Sequence, residues 1–128
     1  MPCEITWEPR GVRRHFHGHM SASDLLRSIE VVHCDMRFDS LYYSLNDFLD
    51  VTGSDIEPNT LIHGAAQAIG ATLSNKRLVM LMVVVDPAIR EKVRRFTGPP
   101  LSSFHAEFFE TREAARDWIA THVGADTP

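Results

Sequence analysis

The sequence predicts an α/β fold: a mixed, mostly parallel sheet of four to five strands with about four helices. Residues 78–85 (LVMLMVVV) are apolar without interruption, which is typical of a strand buried on both faces of a parallel sheet. Strand and helix patterns also alternate along most of the chain, which favours parallel strands joined by right-handed crossovers. The length of 128 residues fits a single domain over residues 1–128.

The first elements are a β-hairpin and a helix. Residues 4–8 (EITWE) alternate as a short strand, Pro9-Arg10-Gly11 is turn chemistry, and residues 12–20 form the returning strand. Ser21 is a favourable N-cap with an aspartate three residues later, in a capping-box position. Apolar residues then recur at helical spacing, so we expect a helix over residues 22–36.

The middle of the chain contains a strand, a loop and a second helix. Residues 41–49 hold two tyrosines, two leucines and a phenylalanine, and at least their first half is a predicted strand. Gly53 and Pro58 mark residues 50–59 as a loop. We expect a helix over residues 60–73, with small and apolar residues on one side.

The last part repeats the alternation of helix and strand. After the apolar run, Asp86 can cap a helix over residues 87–96, with Pro87 at its first position. Residues 104–109 form a final strand, and a last helix follows Thr111 with Trp118 on its apolar side. The predicted order is therefore β-β-α-β-α-β-α-β-α, and the opening hairpin makes the sheet mixed.

Composition limits the classes of function. The chain is 44% hydrophobic and 23% charged, as in an ordinary folded domain, and its net charge of −4 disfavours a nucleic-acid partner. The apolar run is too short to span a bilayer, and no secretory signal opens the chain, so we expect a cytoplasmic protein without a membrane span. Cys3 and Cys34 lack metal-site or redox spacing. We expect reduced thiols and no cofactor.

Three segments share their order and motifs with a known family. Residues 16–25 (FHGHMSASDL) form a strand, a glycine and a capped helix. Residues 47–52 (DFLDVT) form an aspartate-rich strand end, and residues 109–119 (FETREAARDWI) form a closing strand and an Ala-x-x-Trp helix. In these features the chain resembles the SpoIIAA-like (STAS-type) superfamily of bacteria, and more narrowly its small stand-alone proteins of unassigned function.

The resemblance implies a candidate regulatory site. In anti-sigma-factor antagonists of this superfamily, a partner kinase phosphorylates a serine at the start of a helix. The nearest turn here is residues 50–55 (DVTGSD), so Thr52 and Ser54 are the phosphoacceptor candidates. Asp47, Asp50, Thr52 and Ser54 together are the candidates for binding a ligand or partner. The same residue types also suit an ordinary loop.

A row of histidines is the other feature that suggests chemistry. His15, His17 and His19 alternate, so on a regular strand they share one face about 6.6 Å apart, while Phe16 and Met20 point to the core. Imidazoles at that spacing can ligate zinc. The alternative is a solvated strand face, and because no further ligand motif accompanies the row, we expect no bound metal.

Three classes of function follow. The leading interpretation is a non-enzymatic, cytoplasmic regulatory domain that acts through contact with a partner protein. The first alternative is a domain that binds an apolar or nucleotide small molecule, and the second is a metal-dependent enzyme using the histidine row. No Gly-x-Ser-x-Gly elbow is present, and we assign no catalytic residue.

The aromatic pairs suggest association. Tyr42-Tyr43 and Phe108-Phe109 are consecutive rings in predicted strands. If helices covered only one face of the sheet, a row of rings would remain on the other face, and a second copy could bury it. This argument predicts a homodimer. Helices on both faces would cover the rings and remove this reason to expect a homodimer.

Overall fold

The structure is a computed structural model, and it describes residues 3–54, 75, 77–97 and 105–124. The strands are β1 (Cys3–Trp7), β2 (Gly11–Met20), β3 (Tyr43–Ser54), β4 (Val79–Val83) and β5 (His105–Phe109). The α-helices are α1 (Ala22–His33), α2 (Pro87–Thr97) and α3 (Arg112–Ile119). A 3₁₀ turn (Met36–Ser40) precedes β3, and a π-helical turn (Ala120–Gly124) follows α3. The helix predicted over residues 60–73 lies outside the described residues.

The five strands form one mixed sheet in the order β1-β2-β3-β4-β5. β1 and β2 pair antiparallel as the predicted hairpin, whereas β2, β3, β4 and β5 are all parallel. The predicted fold class is therefore confirmed. The apolar run also lies where it was expected, because β4 has a parallel neighbour on each side and Leu81 and Val83 are 0% exposed.

Helices cover both faces of the sheet. On one face, α1 and α2 pack against a large apolar cluster that includes Phe16, Met82 and Val84. On the other face, α3 contributes Ala115 and Ile119 to a smaller cluster. Helices on both faces remove the condition on which the homodimer argument depended. Of the helices in the described ranges, none has the length and apolar character needed to cross a membrane.

Helix α1 begins and ends at local capping signals. The side chain of Ser21 accepts a hydrogen bond from the backbone N–H of Asp24 at 3.2 Å, as the capping box predicted. The helix ends at His33, earlier than the expected residue 36. The chain leaves the helix because Asp35 caps the 3₁₀ turn, accepting from the N–H of Arg37 at 2.8 Å.

A close approach between β2 and β3 depends on Gly11. A Cβ atom at this position would lie 2.2 Å from the ring of Tyr43, which occupies that space. The Tyr43 hydroxyl donates to Glu8, whose carboxylate pairs with Arg116 of α3 at 2.6 and 2.7 Å. Burial alone would raise the pKa of Glu8, but the hydrogen bonds from Arg116 and Tyr43 outweigh it, so the pKa lies below its ordinary value. These contacts hold α3 against the sheet.

Candidate functional site

A β-bulge brings the two candidate aspartates to one face of the sheet. Residues three apart on a regular strand point to opposite faces. Here His15 pairs with Asp47 and His17 pairs with Asp50, so two steps along β2 are matched by three steps along β3, and β3 carries one extra residue. Both carboxylates consequently contact Arg112 of α3.

The loop predicted over residues 50–59 is wrong in its first part. Residues 50–54 continue β3 and pair with β2 as far as Met20. The strand therefore extends well beyond the aspartates, and Asp47 lies near its middle rather than at its end. The turn residues Asp, Thr, Gly and Ser misled the prediction because pairing with a neighbouring strand overrides a local turn preference.

Asp47 is a buried carboxylate held by two arginines. Its side chain is 1% exposed, and Oδ2 accepts from Arg112 Nε at 2.5 Å and lies 3.6 Å from Arg13 Nη2. The other oxygen accepts the backbone N–H of Leu49 at 3.0 Å. A buried carboxylate needs such partners to remain charged. Asp47 thus serves to anchor α3 on β3.

Asp50 is half exposed and lies between a histidine and an arginine. Its Oδ2 lies 2.6 Å from His15 Nε2 and accepts from Arg112 Nη2 at 2.9 Å. The hydrogen bond with His15, and then the nearby charge of Arg112, hold the pKa of Asp50 below its ordinary value. His15 Nδ1 in turn lies 3.3 Å from Glu4 Oε1. We name this set the ionic row: Glu4, His15, Asp50, Arg112 and Asp47.

The ionic row runs from β1 across β2 and β3 to the first turn of α3. Sequence reasoning missed Glu4 and Arg112, because neither stands in a motif with the aspartates. The only local signal near Arg112 is the cap at Thr111, whose side chain accepts from Ala114 N at 3.1 Å and so fixes where the helix begins.

The three histidines do not form one regular row. Phe16 and Met20 point to the core, as predicted. His15 and His17 have ring centroids 5.7 Å apart, but the register shifts again between Gly18 and His19, where Gly18 has φ = 69°. The side chain of His15 is 18% exposed and lies within hydrogen-bond distance of two carboxylates.

In the described part of the chain, no group of three or more His, Cys, Asp or Glu side chains could hold a metal ion.

Thr52 and Ser54 lie beyond the ionic row, near the carboxyl end of β3. Thr52 is exposed, and Ser54 is half-buried and pairs with Met20 at the end of β2. Lys92 of α2 donates its Nζ proton to the backbone carbonyl of Ser54 at 3.0 Å. An ammonium group therefore lies beside the second phosphoacceptor candidate.

The opposite face of the sheet carries a buried polar network that the sequence patterns did not indicate. Arg14 donates from Nε to Asn46 Oδ1 at 2.6 Å and from Nη1 to Ser28 Oγ at 3.2 Å. Asn46 donates onward to the carbonyls of Ser44 and Leu81. Burial lowers the pKa of Arg14 to about 10. This network ties α1 to the three central strands.

Comparison with known proteins identifies the fold. No family model and no curated protein matches the chain. Solved structures do match. The anti-sigma factor antagonist SpoIIAA in its unphosphorylated form has a TM-score of 0.56 at 15% identity, covering 91% of this chain and 96% of that one. The Bacillus cell fate determinant SpoIIAA in its phosphorylated form has a TM-score of 0.54 at 15% identity, covering 91% of this chain and 98% of that one.

A third solved structure belongs to an uncharacterised protein from Shewanella loihica PV-4 with a SpoIIAA-like fold. Its TM-score is 0.51 at 15% identity, covering 91% of this chain and 90% of that one. The chain therefore has a SpoIIAA-like (STAS-type) fold, as the sequence resemblance predicted.

Proposed function

We propose that this chain is a non-enzymatic, cytoplasmic regulatory domain that contacts a partner protein at the carboxyl end of β3. The observation that carries the proposal is the exposed Thr52, which β3 presents immediately beyond the ion-paired Asp50. The likeness of the fold to an anti-sigma factor antagonist supports a regulatory role.

The electrostatics of the ionic row favour binding over acid–base catalysis. A general base works best with a pKa near the operating pH. The pKa of Asp50 is lowered, which takes it further from neutral pH. The carboxylate of Asp47 is enclosed by its arginine partners. A fixed set of paired charges can instead orient a partner and set the register of docking.

A finer proposal is that Thr52 or Ser54 accepts a phosphate that controls this contact. A phosphate adds up to two negative charges and three acceptor oxygens. At Ser54 it would lie next to the Lys92 ammonium, which already reaches the Ser54 carbonyl, and a charge-assisted hydrogen bond would hold it there.

Capture of partners from the native cell tests the contact surface. The wild-type chain is compared with Thr52→Arg and with Thr6→Arg, a matched control because both threonines are exposed on strands. We expect Thr52→Arg to lose a co-purifying protein that Thr6→Arg retains. If both variants retain the same proteins as the wild type, the partner surface lies elsewhere and the proposal is wrong.

Intact-mass measurement of the protein from native cells tests the phosphoacceptor. We expect a mass increase of one phosphate that disappears in Thr52→Ala or in Ser54→Ala. We also expect an aspartate at the modified position to change the amount of captured partner. A phosphate that survives in both alanine variants would contradict the assignment.

The two alternative functions and the oligomeric state have their own measurements. Stoichiometric zinc that survives dialysis and is lost in His17→Ala would favour a metal-dependent enzyme. A small molecule that co-purifies and dissociates in Asp50→Asn would favour a ligand-binding domain. Light scattering gives the oligomeric state, since a monomer has a mass near 14.5 kDa and a homodimer has twice that.

A further inference from the structure

Two guanidinium groups gather around one exposed ring at the amino end of β3. Tyr42 is 39% exposed, and its ring centroid lies 5.3 Å from Arg10 Cζ and 4.6 Å from Arg77 Cζ. We name these three residues the arginine–tyrosine cluster. Tyr42 immediately precedes β3, so the cluster lies at the end of this strand opposite to Thr52.

The cluster is held in place by the backbone. The N–H of Tyr42 donates to the carbonyl of Arg10 at 2.7 Å, and the Tyr42 carbonyl accepts from Val79 N at 3.1 Å. Arg10 Nη1 donates to the carbonyl of Val123 at 3.3 Å, and Arg77 Nη2 donates to that of Asp39 at 2.9 Å. These restraints fix both cations before any ligand arrives, which lowers the entropy lost on binding.

Among the residues that the structure describes, no ion pair balances the charges of the cluster. Arg37, Arg112 and Arg116 each have a carboxylate oxygen within 4.0 Å. Within the described ranges, Arg10 and Arg77 form no such pair, and their polar contacts are to backbone carbonyls and to the Tyr42 ring. Each guanidinium carries five N–H donors, so a single carbonyl leaves most of this capacity for an anion.

We propose that the arginine–tyrosine cluster is a docking surface for an acidic segment of a partner protein. The ring of Tyr42 attracts both cations and keeps them together despite their mutual repulsion. A carboxylate bound between them relieves that repulsion and accepts bidentate hydrogen bonds. Because the chain as a whole carries a net charge of −4, an acidic segment is repelled elsewhere and directed to this surface.

Fluorescence anisotropy with a labelled hexaglutamate peptide tests the proposal at low ionic strength, with hexaglutamine as the neutral comparison. We expect Arg77→Gln and Arg10→Gln each to weaken hexaglutamate binding by about tenfold, the loss of one charge-assisted hydrogen bond. Tyr42→Phe should retain binding because a phenyl ring still attracts cations, whereas Tyr42→Leu should weaken it. Thermal unfolding of every variant confirms that it is folded.

The matched control is Arg94→Gln, which removes one positive charge from an exposed arginine that pairs with Glu91 at 2.7 Å. This variant should bind hexaglutamate like the wild type. The proposal is overturned if Arg94→Gln weakens binding as much as Arg77→Gln, or if the wild type prefers neither peptide. It is also overturned if inorganic phosphate or oligothymidylate binds the cluster more tightly than hexaglutamate. Thr52→Arg should leave this binding intact, so the two surfaces are tested separately.

Discussion

Arg112, in the first turn of α3, donates its Nε proton to the carboxylate of Asp47, which lies 65 residues earlier in β3, at a distance of 2.5 Å. The same guanidinium reaches Asp50 at 2.9 Å. One arginine thus joins the last helix to both candidate aspartates. The contact gives the ionic row its geometry and ties it to the position of α3.

The first prediction concerns that contact. Arg112→Gln should lower the free energy of unfolding by about 2–4 kcal/mol, because it leaves the buried Asp47 carboxylate with the longer ion pair to Arg13 and the N–H of Leu49. Urea denaturation measures the change. In the double variant Arg112→Gln/Asp47→Asn, the loss of unfolding free energy should be smaller than the sum of the losses in the two single variants. Strictly additive losses would mean that the two side chains are not coupled.

The second prediction concerns the position of β4. Val83 is 0% exposed between two parallel neighbours, so Val83→Asp buries an unpaired charge and should abolish cooperative unfolding. Val85→Asp is the matched control, since Val85 is 53% exposed and follows the end of the strand. Circular dichroism during heating distinguishes them. A Val83→Asp variant that melts with the control would show that the topology is wrong.

The third prediction concerns Trp118. A fully buried ring would cost about 3–5 kcal/mol when replaced by alanine. The structure shows a partly buried ring that packs against the smaller apolar cluster, the one to which Ala115 and Ile119 belong. The ring also stacks on that of His122, with the two centroids 4.3 Å apart. We therefore expect Trp118→Ala to cost about 1–3 kcal/mol in chemical denaturation. Trp118→Phe should recover much of this, and a negligible loss in the alanine variant would indicate an exposed ring.

The fourth prediction concerns pH. Burial, and then the charge of Arg14, lower the pKa of His33 to about 4 from the ordinary 6.5. Between these two values the unfolded chain binds a proton that the folded chain does not. The free energy of unfolding should therefore fall as the pH drops from 6.5 towards 4, by up to about 3 kcal/mol from this group.

His33→Gln provides the test, because it removes the titrating group. The variant should lose less stability than the wild type over this pH interval, as measured by urea denaturation at several pH values. Met36→Gln is the control, because this exposed side chain does not titrate, and it should follow the wild-type curve. Parallel curves for all three proteins would contradict the assignment to His33.

Several parts of the fold could be predicted because their signals are local. The apolar run containing Leu81 and Val83 indicated a strand buried on both faces, and the caps at Ser21 and Thr111 indicated where two helices begin. Backbone hydrogen bonding within a helix, and burial along a strand, depend on residues near in sequence. The order of such elements was enough to predict a mixed, mostly parallel α/β sheet.

The candidate site was predicted only in part. Asp47 and Asp50 were singled out by type and position, but they were expected at a strand end. The bulge in β3 that turns both toward Arg112 depends on the pairing register with β2, and no periodicity in β3 alone encodes it.

The sequence by itself determined the type and order of the elements, because apolar periodicity and capping act over a few residues. The tertiary structure alone decided that His15 and Arg112 would meet the aspartates and that Glu4 would meet His15. It also decided that Arg10 and Arg77 would meet at Tyr42. Side chains separated by tens of residues become neighbours only when the strand order and the register of the sheet are fixed. Those long-range contacts, rather than local patterns, therefore formed the ionic row and the arginine–tyrosine cluster.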